Sequence, residues 1–219
     1  MHQLYPLATG PLLYTAMFLC IGGTLIQTGL LVMETYRNER SVFSFLSLKS
    51  TLLSMLHWAT PFGSTVMRKN VVLTLVGFLF HIFLVMVPVF LLAHVLLFYE
   101  AWGLSWPTLP GWLADAGTLT VSAACLFFLV RRLAIPELRY ISGPMDLLIP
   151  VLVFLPFFTG FWASHTLPGF RVVHLVHIVS GEILLVAIPF TRLTHMVFGF
   201  LTRIHTSSEF GGTRYAKDW

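Results

Sequence analysis

Five runs of mainly apolar residues, each near the ~20 residues that a helix needs to cross a lipid bilayer, dominate this sequence. We place them at about 10–33, 71–98, 113–130, 145–163 and 173–200. Charged residues make up 10% of the chain, whereas soluble domains carry about 25%. The sequence therefore predicts an all-α polytopic membrane protein, with residues 1–219 forming a single transmembrane domain of five helices.

The connections between the runs are short except for residues 34–70. Apolar residues recur there at mixed helical spacing and charges are few, which predicts a helix lying at the cytoplasmic interface of the membrane or against the helix bundle. No basic segment precedes the apolar N-terminal run, so we expect no cleaved secretory signal.

Lysine and arginine determine the expected orientation. With the N-terminus outside, 12 of the 13 fall on the inner side and only Arg171 lies outside. The inner set is Arg37, Arg40, Lys49, Arg68, Lys69, Arg131, Arg132, Arg139, Arg192, Arg203, Arg214 and Lys217. Because basic residues concentrate on the cytoplasmic side of membrane proteins, we expect an outer N-terminus and a cytoplasmic C-terminus in the inner (cytoplasmic) membrane. The same rule explains the pI of 9.3 without nucleic acid as a partner.

Four of the nine histidines fall inside the predicted spans or near their ends: His81 and His94 on the second, His177 and His195 on the fifth. Ionisable side chains are costly at membrane depth and usually serve a function. His177 and His195 are 18 residues apart, which on one helix places them on one face and about 27 Å apart. His81 and His94 are separated by about 20 Å along their helix.

Because the second and fifth spans run antiparallel, the histidines match in depth. His94 pairs with His177 on the outer side and His81 with His195 on the inner side. Two imidazoles at each of two depths are what two six-coordinate b-type haems require. The sequence therefore predicts two haem b groups with these four residues as axial ligands.

Two details bear on this ligand set. The 13 residues from His81 to His94 turn a straight helix by about 220°, so we expect Pro88 between them to kink or unwind it. His174, three residues before His177, is an alternative outer ligand, although it lies about 60° round the helix from His195. Cys20 and Cys125 sit in apolar runs and are read as buried hydrophobic residues.

Several short motifs follow one another in a characteristic order. They are LFHIF with His81, then His94, YEAW at Tyr99–Trp102, RRLAIPELR at Arg131–Arg139, MDLLI at Met145–Ile149, and HIVSG followed by PFTRLTH, from His177 to His195. In this order the chain resembles the gamma, cytochrome b subunit of respiratory nitrate reductase. It also resembles the relatives of that subunit in transmembrane redox complexes of sulfate- and sulfite-reducing bacteria, over roughly residues 75–200.

The resemblance implies two b haems stacked across a five-helix bundle. It further implies exchange of menaquinol or menaquinone near the outer haem, and electron transfer with cytoplasmic iron–sulfur subunits. Other membrane subunits and a periplasmic cytochrome c are further partners in such complexes. The interval from His81 to His94 is longer than in the nitrate reductase subunit, and no Lys or Arg occurs from Asn70 through Val130. Both departures favour the sulfur-metabolism relatives.

Further side chains are candidates for roles around the haems. Those that could exchange protons with a quinone are His174, His165, Glu182, Asp115 and Glu100. Glu182 is either a proton relay or a hydrogen-bond partner within the bundle. Arg192 either pairs with a haem propionate or anchors the inner end of its helix. Gly77 and Gly181 either let a porphyrin ring approach the backbone or serve helix packing.

We expect an electron-transfer subunit of an oxidoreductase complex, with no complete active site of its own. Electrons would pass from a quinol through the outer and inner haems to a cytoplasmic partner, or in reverse. The inner basic loops and the tail SSEFGGTRYAKDW are the expected docking surface. The alternatives are a haem-poor membrane anchor, a cytochrome b of the hydrogenase or formate dehydrogenase type, and a transporter whose histidines form a proton or metal path.

Overall fold

The computed structural model describes residues 4–216, which form helices joined by turns and contain no strand. The helices are α1 (Leu4–Asn38, with a π-helical turn at Ala8–Leu12), α2 (Leu48–Ala59), α3 (Thr65–Lys69), α4 (Val71–Phe90), α5 (Leu92–Trp102), α6 (Gly111–Ala134), α7 (Pro136–Ile141), α8 (Pro144–Ser164), α9 (Phe170–Phe190) and α10 (His195–Thr206). Shorter helical turns lie at Arg40–Ser44, Arg192–Thr194 and Ser207–Thr213.

Five of these helices, namely α1, α4, α6, α8 and α9, are long and apolar enough to cross a membrane. The prediction of an all-α chain with five membrane-spanning helices is thereby confirmed, and the chain has the character of a multi-pass membrane protein. The spans predicted at 113–130 and 145–163 lie within α6 and α8, whereas α1 extends past both ends of 10–33. Residues 34–70 hold the end of α1 followed by the separate helices α2 and α3.

The span predicted over 71–98 is two helices rather than one. The chain leaves helical geometry at Leu91, where ψ is 130°, so His81 lies on α4 and His94 on α5. Pro88 is inside α4, three residues before the break. The chain is interrupted between the two histidines, at Leu91 and not at Pro88 where the interruption was expected, so the angle calculated for a straight helix does not apply.

The span predicted over 173–200 is also interrupted. Helix α9 ends at Phe190, Thr191 is extended with φ −129° and ψ −174°, and the turn Arg192–Thr194 leads into α10. The hydroxyl of Thr191 accepts a hydrogen bond from the Leu193 N–H at 3.2 Å, which caps the new turn. His177 and His195 therefore lie on different helices, and the argument that placed them on one face about 27 Å apart does not hold.

The chain divides into two compact units, each described here by itself. Unit 1 comprises residues 4–9 and 76–184, and unit 2 comprises residues 10–75 and 185–216. In unit 1, α6 packs against α8. Helix α6 buries small side chains three or four residues apart, namely Ala114, Gly117, Val121 and Cys125, and small residues let membrane helices approach closely.

An ion pair fixes the connection from α6 to α8 in unit 1. The guanidinium of Arg132, near the end of α6, lies 3.2 Å from the Asp146 carboxylate at the start of α8. Asp146 is only 5% exposed and also accepts the N–H of Gly143 at 3.0 Å, an acidic cap of the kind that helix starts favour. The short connection and this pair make α6 and α8 antiparallel neighbours.

In unit 2, the turn Ser207–Thr213 packs against α2 and α10. The Ser208 hydroxyl accepts the Ser47 N–H at 2.9 Å, and both Ser207 and Ser208 are fully buried. Residues Ser207–Thr213, the first part of the tail that was expected to dock partners, therefore pack against helices of their own unit. The last three residues of the tail lie outside the described residues.

Candidate functional site

Two of the four histidines predicted as ligands face each other within unit 1. The imidazoles of His94, in the first turn of α5, and His177, in the second turn of α9, have centroids 6.1 Å apart and planes only 9° from parallel. The structure thus brings together the two histidines that were predicted to bind the outer haem. The prediction assumed two uninterrupted helices, whereas both spans are broken in the structure.

The break at Leu91 positions His94. Interrupting a helix releases the carbonyls of its last turn, and three of them find donors here. The Pro88 carbonyl accepts His94 Nδ1 at 2.8 Å. The Val89 carbonyl accepts Trp106 Nε1 at 2.8 Å, and the Phe90 carbonyl accepts the Leu109 N–H at 2.9 Å. Trp106 and Leu109, in the segment before α6, therefore satisfy the broken end of α4, and the Pro88 carbonyl holds the His94 ring.

Helix α8 positions His177. The Nδ1 of His177 donates to the Pro156 carbonyl at 2.8 Å. At Gly160, one turn further along α8, a Cβ would lie 2.9 Å from His177 Cε1 and 3.0 Å from Nδ1. Only a residue without a side chain leaves this space to the imidazole, so Gly160 is a part of the site that the sequence reasoning missed.

The glycines chosen from the sequence behave differently from Gly160. A Cβ placed at Gly77 or Gly181 meets no heavy atom within 4 Å in the described part of the chain. Neither position is needed for close packing against that part of the protein. Their role beside a porphyrin ring stays a prediction.

All four predicted ligands share one hydrogen-bonding pattern. His81 Nδ1 lies 2.7 Å from the Gly77 carbonyl and His195 Nδ1 lies 2.7 Å from the Arg192 carbonyl, matching the bonds of His94 and His177. A carbonyl can only accept, so each Nδ1 carries a proton, and in the neutral imidazole that binds a metal the lone pair is then on Nε2. Metal-binding histidines are oriented in this way in proteins, by a partner on the nitrogen that does not bind the metal.

The spacing of His94 and His177 also fits a six-coordinate haem. An iron bound to two imidazoles through bonds of about 2 Å, the length histidine makes to first-row metals such as zinc, sets the ring centroids about 6 Å apart. The observed 6.1 Å agrees. Among residues 4–216, no group of three or more His, Cys, Asp or Glu is arranged to hold a metal ion, but a haem iron takes only two ligands from the protein.

The inner pair is divided between the two units. His81 belongs to unit 1 and contacts the Phe80 ring edge-on at 5.0 Å, whereas His195 belongs to unit 2 and opens α10. Arg192 lies in the turn just before α10, and its carbonyl accepts a hydrogen bond from His195 Nδ1. The pairing of His81 with His195, and of Arg192 with a propionate, stays a prediction.

The candidates for proton exchange lie in different surroundings. His174 stands beside His177, with ring centroids 6.5 Å apart, and beside Tyr5 at 5.7 Å. Glu182 is 7% exposed, and its Oε1 has no hydrogen-bond partner among the described residues, so the structure gives no support to a hydrogen-bonded role for this oxygen. Glu100 is exposed on α5.

The remaining two candidates, Asp115 and His165, form a pair. The Nε2 of His165 lies 3.3 Å from the Asp115 carboxylate. Asp115 is near the start of α6 and His165 follows the end of α8. Nothing in their sequence spacing predicts this contact, because it depends on the antiparallel packing of the two helices.

No protein-family profile matches the chain, and no solved structure is significantly similar to it. A protein of Nitratidesulfovibrio vulgaris strain Hildenborough, described only as "Protein", is 32% identical over 204 residues. The match covers 91% of this chain and 90% of the relative. The chain therefore belongs to the same family as that Nitratidesulfovibrio protein.

Proposed function

We propose that this chain is the dihaem b-type cytochrome subunit of a membrane-bound respiratory oxidoreductase complex. In this role it passes electrons across the cytoplasmic membrane between a menaquinone pool and iron–sulfur or catalytic subunits. The observation that carries the proposal is the near-parallel pair of imidazoles, His94 and His177, at the spacing of two ligands to one iron. The motif order from His81 to His195, which resembles cytochrome b subunits of this kind, supports it.

The protein's own part is to hold the imidazoles in the ligating tautomer. Pro88 and Pro156 contribute carbonyls that keep the Nδ1 protons of His94 and His177, so both Nε2 lone pairs remain for iron. When bound, haem b supplies one-electron redox chemistry. The Nδ1 atoms of His81 and His195 are each held by a backbone carbonyl in the same way, and the motif order, which resembles the cytochrome b subunits, is what assigns these two residues to a second haem.

The surrounding residues complete the proposed role. Arg192 is the cation nearest in sequence to His195 and would pair with a propionate. With the N-terminus outside, the His94–His177 pair serves the outer half of the membrane and the basic segments face cytoplasmic partners. A quinol oxidised at the outer end would release its protons outside.

The test is to count haems in the full-length protein in native membranes and after purification. The reduced-minus-oxidised spectrum and the haem-to-polypeptide ratio should show two b haems per chain. His94→Ala and His177→Ala should each remove the same haem, and His81→Ala and His195→Ala should each remove the other. His205→Ala is the matched control, since this histidine faces Glu209 at 3.9 Å and should leave both haems in place.

Three results would change the proposal. A folded parent protein without haem would favour the haem-poor anchor. Haem that survives both His94→Ala and His177→Ala would contradict the ligand assignment. Loss of the outer haem in His174→Ala, with His177→Ala unaffected, would transfer the ligand role to His174.

A further inference from the structure

Helix α2 in unit 2 buries a polar side against the rest of its unit. Thr51 and Ser54, three residues apart and therefore neighbours on the helix surface, are both buried. The hydroxyl of Ser207 lies 3.4 Å from Thr51 Oγ1. The hydroxyl-bearing side of α2 thus packs against the turn Ser207–Thr213, the reverse of a helix on a water-soluble surface, which buries its apolar side.

The other side of α2 is apolar and exposed. Leu48 and Leu56 are 75% and 66% exposed, and Leu52 and Leu53 are also exposed; we call these four residues the leucine face. Trp58, in the last turn of α2, is exposed as well. Apolar side chains are unfavourable in water, and a helix of 12 residues is too short to cross a bilayer. The leucine face therefore needs an apolar surrounding that a helix can reach without spanning the membrane.

The neighbouring spans tether α2 to the membrane surface. Helix α1 ends at Asn38 and α4 begins at Val71, and both are long enough to cross a membrane. Residues 39–70 therefore leave and re-enter the bilayer on the same side. A short amphipathic helix in such a position lies along the headgroup region, with its apolar side among the acyl chains. This tether favours lipid over a water-soluble protein as the occupant of the leucine face.

The same segment carries positive charge without compensation. From Arg40 through Lys69 there are four Lys or Arg and no Asp or Glu. The four cations, Arg40, Lys49, Arg68 and Lys69, are all exposed, and none of them pairs with a carboxylate within residues 4–216. Clusters of about four or more cations beside a span or on an interfacial helix attract anionic lipid headgroups. The charge pattern therefore favours lipids with a net negative charge over zwitterionic ones.

We propose that residues 40–69 form a binding site for anionic phospholipid. The leucine face of α2 lies among the acyl chains, and the four cations bind headgroup phosphates. The turn Ser207–Thr213 covers the polar side of α2, which an ordinary interfacial helix presents to water. The inference does not rest on the proposed function, because it uses none of the histidines assigned to haem.

The test uses the full-length protein in phosphatidylcholine nanodiscs, with a titrated share of lipid whose acyl chains carry bromine. Bromine quenches the fluorescence of a tryptophan that it contacts, and the Trp58 signal is the difference between the parent and Trp58→Phe. Brominated phosphatidylglycerol should quench this signal at a ~5-fold lower mole fraction than brominated phosphatidylcholine, since one cation near an anionic headgroup contributes a preference of about this size. Added salt should reduce the preference.

Charge variants test the headgroup contacts. A triple variant, Lys49→Gln with Arg68→Gln and Lys69→Gln, should bring the two mole fractions together and leave the quenching itself in place. These side chains are exposed, so the variant should fold. Arg171→Gln is the matched control, because it removes an exposed cation in the first turn of α9, and it should keep the preference for phosphatidylglycerol.

Three outcomes would overturn the inference. Equal quenching of the parent by the two lipids would show contact with lipid but no site for anionic headgroups. Quenching of Trp58 by aqueous acrylamide and not by brominated lipid would place α2 in water. A Trp58 signal that neither quencher reaches would show that a partner subunit or a second copy of the chain covers this surface. The haem content of the same samples decides the proposed function separately.

Discussion

The imidazole of His177 is held between a carbonyl and a glycine. Its Nδ1 bonds to Pro156 at 2.8 Å, and Gly160 leaves room for the ring. In Gly160→Ala the new methyl group would lie 2.9 Å from Cε1, and the ring cannot move away without losing the carbonyl. Overpacking of this kind costs about 1–3 kcal/mol. We expect the haem-to-polypeptide ratio to fall from two towards one, with the outer haem lost.

The control for this prediction is another helical glycine with open surroundings. A Cβ at Gly29 on α1 meets no heavy atom within 4 Å in the described chain, so Gly29→Ala should keep both haems. Gly181→Ala tests the sequence-based hypothesis that a porphyrin approaches α9 there, and would also lower the ratio if that hypothesis holds. Full haem content in Gly160→Ala would show that His177 is not a ligand in the observed orientation.

Among the helices, the interruption between α4 and α5 depends on donors from another segment. Trp106 Nε1 bonds to the Val89 carbonyl at 2.8 Å, which would otherwise lack a partner at the broken end of the helix. Trp106→Phe keeps most of the aromatic surface and removes this donor. A lost hydrogen bond that leaves its partner unsatisfied costs about 1–3 kcal/mol. We therefore expect a lower melting temperature in detergent and weaker retention of the outer haem, since the same break places His94.

Trp112→Phe is the matched control for Trp106→Phe, because the Trp112 side chain is 72% exposed and should tolerate the change. Pro88→Ala provides a second comparison. If the missing N–H of Pro88 causes the interruption, this variant should disturb His94 more than Trp106→Phe does. We expect Pro88→Ala to disturb His94 less than Trp106→Phe does, because the break lies three residues past Pro88.

Helices α6 and α8 were predictable from the sequence because the length of an apolar run limits the span that it can form. An interruption between His81 and His94 was expected at Pro88, but its position at Leu91 and the break at Thr191 were not predicted. Hydropathy does not show that Trp106 and Leu109 satisfy the carbonyls of a distant helix end. Pairing His94 with His177 required only their depth in the membrane, whereas Gly160 becomes visible only when α8 and α9 are packed together.

Over the whole molecule, the basic residues are distributed with a strong bias. Arg131 and Arg132 lie at the end of α6 and Arg139 lies in α7, which connects α6 to α8, whereas residues 103–110, before α6, contain no Lys or Arg. Because cations near the ends of spans stay on the cytoplasmic side, the two ends of α6 should lie on opposite sides of the membrane, with the Asp115–His165 end outside.

Fusions of alkaline phosphatase, an enzyme that needs disulfides and therefore the oxidising periplasm, measure this orientation. A fusion within residues 103–110 should be active, and one within the α6–α8 turn should be inactive. Green fluorescent protein fused after the last residue should fluoresce in the cytoplasm, and equal expression of all three fusions is the control. The reverse pattern would place the Asp115–His165 pair on the cytoplasmic side. Protons removed from a quinol would then stay inside, and electron transfer through the chain would no longer be coupled to proton release across the membrane.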